Sequence, residues 1–160
     1  NIKNFIAIKA NLRTIGLGIA FGVILFLFDL FISNLLVSIF GVSETLQESN
    51  ELLSKSSSSL EGLIMVIVAM SLTGVCEEFT FRGFLQTAIN GKYSTTVAIL
   101  ISSLAFGLAH FDPQGLSIIA TFLMGLILGY IYHHWHSYVS PAVAHSTLNL
   151  VILAITLLAL

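Results

Sequence analysis

An apolar segment from about Thr14 to Phe40 carries a single charged residue, Asp29. It is longer than the roughly 20 apolar residues that a helix needs to cross a bilayer. Four more segments qualify or nearly qualify: about Leu60 to Ile89, Thr95 to His110, Leu116 to Tyr132, and Val139 to Leu160. They do not alternate apolar and polar residues as the strands of a membrane barrel do. Because lipid requires a backbone that satisfies its own hydrogen bonds, we predict an all-α, polytopic transmembrane helix bundle of about five spans.

Composition excludes several other classes of protein. Charged residues make up 9% of the 160, against roughly 25% in a soluble domain, so the chain cannot coat a water-facing surface. No basic patch suggests a nucleic-acid partner. Cys76 is the one cysteine, which excludes an intramolecular disulfide and a cysteine-rich metal cluster; we expect it to be buried and inert. Since residue 1 is Asn, we expect a piece of a longer chain.

The connection from Ser43 to Glu61 is the one plausible internal boundary. It is polar and mostly acidic, and its serine run at 56–59 has the low complexity of a mobile linker. It divides the chain into an N-terminal helix with its linker, residues 1–59, and a membrane core, residues 60–160.

Basic residues in short loops predict the orientation. They stand before the first span and after the second: Lys3, Lys9, Arg13 and Lys92. Positive residues stay on the cytoplasmic side. We therefore expect an integral protein of a bacterial plasma membrane with its N-terminus in the cytoplasm; the sequence does not predict an oligomeric state.

Three charged residues lie near the end of the second span, where a charge is expensive and usually functional. Glu78 and Arg82 are spaced i, i+4 with the acid first, which favours a helical ion pair. Glu77 lies about 100° around the helix and is left over, which suits a general base or acid. Alternatively, all three are solvated at the interface and simply end the span.

Two further clusters lie on other spans. His110 ends the third span, where a capping or interfacial role is the simpler interpretation. His145 and Asn149 are spaced i, i+4 on the fifth span and share one face; they could hold the bundle together through an interhelical hydrogen bond. A carboxylate and two histidines from three helices could also activate water, either as ligands of a metal such as zinc or without metal.

These clusters resemble the three motifs of the CPBP intramembrane proteases, a family that includes type II CAAX prenyl endopeptidases and bacteriocin-processing or immunity proteins. The matching motifs are Glu77-Glu78-x-x-x-Arg82, Phe106-x-x-x-His110 and His145-x-x-x-Asn149. The resemblance covers roughly Leu60 to Ile155.

The resemblance implies a membrane enzyme that hydrolyses a peptide bond in a membrane-embedded or lipidated peptide within the lipid bilayer. By this resemblance Glu77 and His110 activate water, and Glu78 and Arg82 support them as an acid–base pair. The remaining two matched residues, His145 and Asn149, stabilise the oxyanion. It leaves open whether the enzyme uses one divalent metal or none. A non-catalytic binding or immunity protein is the alternative, and a transporter fragment ranks last.

The predicted positions of the three clusters across the membrane conflict with a shared site. If each span runs straight across the membrane, Glu77 lies about 25 Å from the outer start of its helix. His145 then also lies near the cytoplasmic side, whereas His110 lies near the outer end of its span. We give the motif set more weight than the span boundaries.

Two other features have simpler explanations. The aromatic and histidine-rich segment at 130–138 resembles an interfacial belt more than a metal site. Gly125 and Gly129, spaced i, i+4, predict close packing of the fourth span.

Overall fold

The computed structural model describes residues 6–42 and 44–158 of the chain. Within these ranges the secondary structure is helical, with no strand: α1 (Leu12–Phe40), α2 (Glu44–Ser56), α3 (Leu60–Asn90), α4 (Thr95–Ala109), α5 (Leu116–Trp135) and α6 (Val139–Leu158). Helices α1, α3, α5 and α6 are long and apolar enough to cross a membrane, and α4 is a shorter apolar helix. The prediction of an all-α bundle with about five spans is confirmed.

The polar connection after α1 is largely helical, because α2 occupies 13 of its residues. Its charges suit a helix: Glu44 lies in the first turn and Lys55 in the last, each favourable to the helix dipole. The serine run ends this helix and caps the next, since the Ser59 hydroxyl accepts a hydrogen bond from the Gly62 N–H at 3.1 Å. Helix α2 was not predicted from the sequence, because its residues are polar and lack the apolar run of a membrane span.

Helices α1 and α6 run parallel and touch along a stripe of small residues. A Cβ at Gly18 would lie 2.6 Å from the Cβ of Val143, and one at Gly22 would lie 2.5 Å from the Cβ of Thr147. The apolar core lies just beyond this contact, where three helices meet. Its buried members are Leu25, Met124, Leu128, Ala144 and Leu148.

The length of α3 removes the conflict in depth. Its 31 residues span about 46 Å, well beyond a hydrocarbon core of about 30 Å. Helix α4 begins where α3 ends and runs back along it: Thr95 Oγ1 donates to Asn90 Oδ1 at 3.0 Å, and Ser102 Oγ to Gln86 Oε1 at 3.3 Å. His110 thereby returns to the level of Glu77. The straight-span estimate was wrong because it began and ended each span at a membrane face.

The two glycines of α5 pack as the sequence predicts. A Cβ at Gly125 would lie 3.0 Å from the Cβ of Ser103, and one at Gly129 would lie 2.9 Å from Gln86 Oε1. This closeness exposes their carbonyls to α3. Gly125 O accepts from Arg82 Nη2 at 3.1 Å, and Gly129 O accepts from Gln86 Nε2 at 2.9 Å.

Candidate active site

Helix α3 changes its geometry immediately after the acid pair. Residues Phe79–Gln86 form a π-helix, a form that occurs mostly in short stretches and often at functional sites. The Thr87 hydroxyl donates to the carbonyl of Arg82, five residues back, at 3.1 Å. The widened segment thus follows directly on Glu78.

Tyr138, just before α6, supports the start of this segment. Its hydroxyl donates to the carbonyl of Val75 at 2.6 Å, and its ring packs edge-on against Phe79. Burial raises the pKa of Tyr138 to about 12, with smaller contributions from Glu78 and Cys76, so the phenol remains a donor at neutral pH. The sequence predicts Tyr138 to be part of the interfacial belt, and its contact with α3 was not predicted, because no sequence pattern pairs it with that helix.

Glu78 and Arg82 form the ion pair that their spacing predicts. Glu78 Oε1 and Arg82 Nη1 are 3.0 Å apart, and both side chains are completely buried. The guanidinium also lies 4.5 Å from the centroid of the Phe106 ring, within the range of a cation–π contact. A buried pair of this kind holds each charge in place, because either one alone would be buried without compensation.

Glu77 faces two imidazoles from two other helices. Its Oε1 lies 3.8 Å from His110 Nε2, and its Oε2 lies 3.6 Å from His145 Nε2. Both separations exceed a hydrogen bond and suit a bridging water. The Glu77 side chain is 26% exposed and that of His110 is 32% exposed, whereas that of His145 is 6% exposed. Helices α3, α4 and α6 therefore bring these three groups together around a partly open gap.

The other ring nitrogen of each histidine is fixed by an acceptor. His110 Nδ1 lies 2.9 Å from the carbonyl oxygen of Phe106, and a carbonyl only accepts, so this nitrogen carries the proton. In the tautomer with its single proton on Nδ1, the Nε2 lone pair faces Glu77. His145 Nδ1 lies 3.1 Å from Glu78 Oε1, so an ionised Glu78 orients this ring while it pairs with Arg82. These proton positions follow from the acceptors around each ring.

Phe106 is the packing surface that these groups share. Its ring is buried and meets His110 at 4.7 Å and His145 at 5.7 Å between centroids, both edge-on. From the sequence, Phe106 is a member of a motif without a predicted role of its own. Its position one turn before His110 on the same helix was the available signal.

Asn149 lies apart from this cluster in its hydrogen bonding. Its amide donates to the carbonyl of Met70 at 3.1 Å, seven residues before Glu77 on α3. Among the candidate residues, the structure brings together Glu77, Glu78, Arg82, His110 and His145. It places Asn149 one turn further along α6.

Cys76 is exposed, so the expectation that it is buried was wrong. It lies on a face of α3 that the other described helices leave uncovered, and Thr80 on the same face is also exposed. The sequence could not show this, because the apolar run surrounding Cys76 does not reveal which side of α3 has a neighbour.

The donor set of one glutamate and two histidines has the ligand types that zinc accepts. However, within residues 6–42 and 44–158 no group of three or more His, Cys, Asp or Glu side chains has the arrangement of a metal site. The separations of 3.8 and 3.6 Å between Glu77 and the two imidazoles are compatible with a bridging water and with a shared metal ion.

Comparison with known proteins places the chain in a family. No curated protein and no solved structure matches it. A family model described as type II CAAX prenyl endopeptidase Rce1-like matches residues 59–151, more than half of the chain. The matched range contains all three motifs, at residues 77–82, 106–110 and 145–149. The chain belongs to the type II CAAX prenyl endopeptidase Rce1-like family of membrane proteases.

Proposed function

We propose that this protein is an intramembrane endopeptidase in which Glu77 and His110 activate a water molecule for attack on a peptide bond. One observation carries the proposal. The Glu77 carboxylate faces Nε2 of His110 at 3.8 Å and Nε2 of His145 at 3.6 Å. Each gap is too long for a direct hydrogen bond and suits one shared water.

The chemistry follows from the direction of each donor and acceptor. A water between Glu77 and His110 donates one hydrogen bond to each, so that its oxygen lone pair is free to attack. As the oxygen bonds to the substrate carbonyl carbon, Glu77 accepts the proton as general base. The protonated glutamate then returns it to the leaving amine as the C–N bond breaks. The other water proton remains on the new carboxyl group and passes to the amine as the products separate, which leaves a carboxylate and an ammonium group and regenerates the enzyme.

His145 and Asn149 stabilise the negative charge that develops on the substrate oxygen. For this role we propose that His145 is protonated on both ring nitrogens, so that Nδ1–H donates to Glu78 Oε1, 3.1 Å away, and Nε2–H faces the gap. Its charge, with that of Arg82, would balance the charges of Glu77 and Glu78, so the buried cluster would be neutral. Asn149 contributes if its amide leaves the Met70 carbonyl when substrate binds. Donors aimed at a developing oxyanion in a dry site are among the largest contributions to catalysis.

The substrate we propose is a membrane-anchored or lipidated peptide, with a prenylated CAAX tail as the first choice and a bacteriocin leader as the second. The family supports the first choice. The uncovered face of α3 also favours it, because the partly exposed Glu77 adjoins exposed Cys76 on that face. A lipidated tail can reach this face without leaving the bilayer.

The proposal is tested by cleavage of a prenylated CAAX peptide in proteoliposomes. Glu77→Gln keeps the size of the side chain and removes the base, and we expect a rate loss of about 10²- to 10⁴-fold. Glu61→Gln is the matched control, since Glu61 is exposed in the first turn of the same helix, and its rate should equal that of the wild type. Cleavage by Glu77→Gln at the wild-type rate would show that Glu77 is not the base, whereas absence of cleavage by the wild type itself would favour the non-catalytic binding or immunity role.

The metal question has its own test. We expect the rate to be unchanged after incubation with a strong chelator and dialysis, because no step needs a metal. Loss of activity that zinc alone restores would contradict this and would assign Glu77, His110 and His145 as ligands.

A further inference from the structure

A basic cavity lies at the Trp135 end of the bundle, the end at which α1 begins and α5 finishes. Its volume is about 330 Å³, and its lining residues are Lys9, Asn11, Arg13, Thr14, His134 and Trp135. None of these lining residues is acidic. Among the ion pairs of the described residues, none involves Lys9 or Arg13. Two of the six Lys and Arg residues of the chain therefore face one cavity without a counter-charge.

The backbone that carries these two cations is held in place. The carbonyl of Lys9 accepts hydrogen bonds from Thr14 Oγ1 at 3.1 Å and from Ser137 Oγ at 2.9 Å. Asn11 and Thr14 form a reciprocal capping box at the start of α1. Ser140 Oγ donates to the carbonyl of Thr14 at 3.2 Å. The segment is thus tied both to its own helix and to the beginning of α6, so the cavity has a defined wall.

The aromatic wall is equally well packed. Trp135 meets Phe21 edge-on with 4.8 Å between ring centroids. His134 stacks on Tyr130 at 5.5 Å. Trp and Tyr side chains concentrate at the level of the lipid headgroups, which places the mouth of the cavity where phosphates are found.

We propose that this cavity binds the phosphate of an anionic phospholipid through Lys9, Arg13 and His134. Two uncompensated cations favour an anion, and basic pockets at the ends of membrane helices suit lipid headgroups. A lipid fits better than a free anion, because an exposed apolar strip on α1 continues from the cavity into the membrane: Ile15, Ile19 and Val23. The acyl chains would lie along this strip. Lys9 and Arg13 precede the residues matched by the family model, so the proposal is independent of the catalytic one.

Trp135 provides the measurement, because it is the one tryptophan of the chain. Purified protein in a neutral detergent is titrated with phosphatidylglycerol whose acyl chains are brominated, and quenching of Trp135 is followed. We expect saturable quenching. Its midpoint should rise about fivefold for Lys9→Gln or Arg13→Gln and about twenty-five-fold for the double variant.

Lys92→Gln is the matched control. It removes the same charge at the connection between α3 and α4, outside the cavity, and its midpoint should stay within twofold of the wild type. Lys9 and Arg13 are exposed, so the double variant should fold, and an unchanged melting temperature checks this. Equal midpoints for the double variant and Lys92→Gln would overturn the proposal.

Two further titrations identify the source of the phosphate. Brominated phosphatidylcholine should quench with a midpoint at least fivefold higher, because its headgroup has no net negative charge. Inorganic phosphate at the concentration of the lipid should not compete. Equal quenching by the two lipids, or full competition by inorganic phosphate, would contradict a site for an anionic phospholipid.

Discussion

The two halves of α3 differ in what they bury. The half that begins at Leu60 is α-helical and apolar, and it exposes large side chains such as Met65 and Val68. The half that begins near Glu77 is largely π-helical, and its completely or almost completely buried side chains include Glu78, Arg82 and Gln86. A helix of a soluble protein usually buries its apolar side chains and exposes its charged ones, and α3 does the opposite. In lipid, apolar side chains need no protein partner, whereas polar ones must find one.

This difference determines where the protein is sensitive to substitution. A polar side chain in the second half has particular partners at fixed distances, such as the 3.0 Å pair between Arg82 and Glu78. A side chain in the first half meets lipid, which adapts to its shape. The second half should therefore lose stability from changes that the first half tolerates.

The largest expected effect is that of Arg82→Met, which leaves Glu78 buried without its partner. We expect the free energy of unfolding to fall by about 3–5 kcal/mol, measured by denaturant titration in detergent. Met65→Leu in the exposed half is the control and should change it by less than about 0.5 kcal/mol. Equal stabilities of the two variants would show that the halves do not differ as described.

A smaller effect is expected where the two halves meet. A Cβ at Gly74 would lie 2.7 Å from the backbone nitrogen of Ser146, so Gly74→Ala should push α3 and α6 apart. We expect a loss of about 1–3 kcal/mol in the same titration. Gly16→Ala on α1 has nothing within 4 Å of the added methyl group and should be neutral or slightly stabilising. A neutral Gly74→Ala would mean that the contact is looser than the structure has it.

The smallest effect concerns the start of the π-helix. Tyr138→Phe removes the donor to the Val75 carbonyl and keeps the ring packed on Phe79. We expect a loss of about 0.5–1.5 kcal/mol. Tyr93→Phe, at an exposed position in the connection after α3, should cause no loss. If both variants match the wild type, the π-helix does not depend on Tyr138.

Much of the fold could be predicted because lipid imposes simple rules on sequence. Long apolar runs predict the spans, and the i, i+4 spacing of Glu78 and Arg82 predicts their ion pair. The level of His110 could not be predicted in this way. It depends on α3 and α4 meeting beyond the membrane face, because the 31 residues of α3 exceed the thickness of a hydrocarbon core, and the segment boundaries do not give the depth at which each segment lies.

The finer features of the candidate site depend on contacts between distant parts of the chain. The π-helix has no residue signature, and one of its supports, Tyr138, comes from the start of another helix. The exposure of Cys76 depends on which face of α3 lacks a neighbour. The partner of Asn149 is a backbone carbonyl of α3, which side-chain patterns cannot identify.

The central claim is that Glu77 and His110 act on the same water, and a double-variant comparison tests it most directly. Cleavage rates of a prenylated CAAX peptide are measured for Glu77→Gln, His110→Gln and the double variant, with melting temperatures as a check of folding. Residues that act as one unit give strongly non-additive losses. We predict that each single variant loses about 10²-fold or more and that the double variant is no slower than the worse single one. Losses that multiply in the double variant would show that the two side chains act independently and would contradict a shared water.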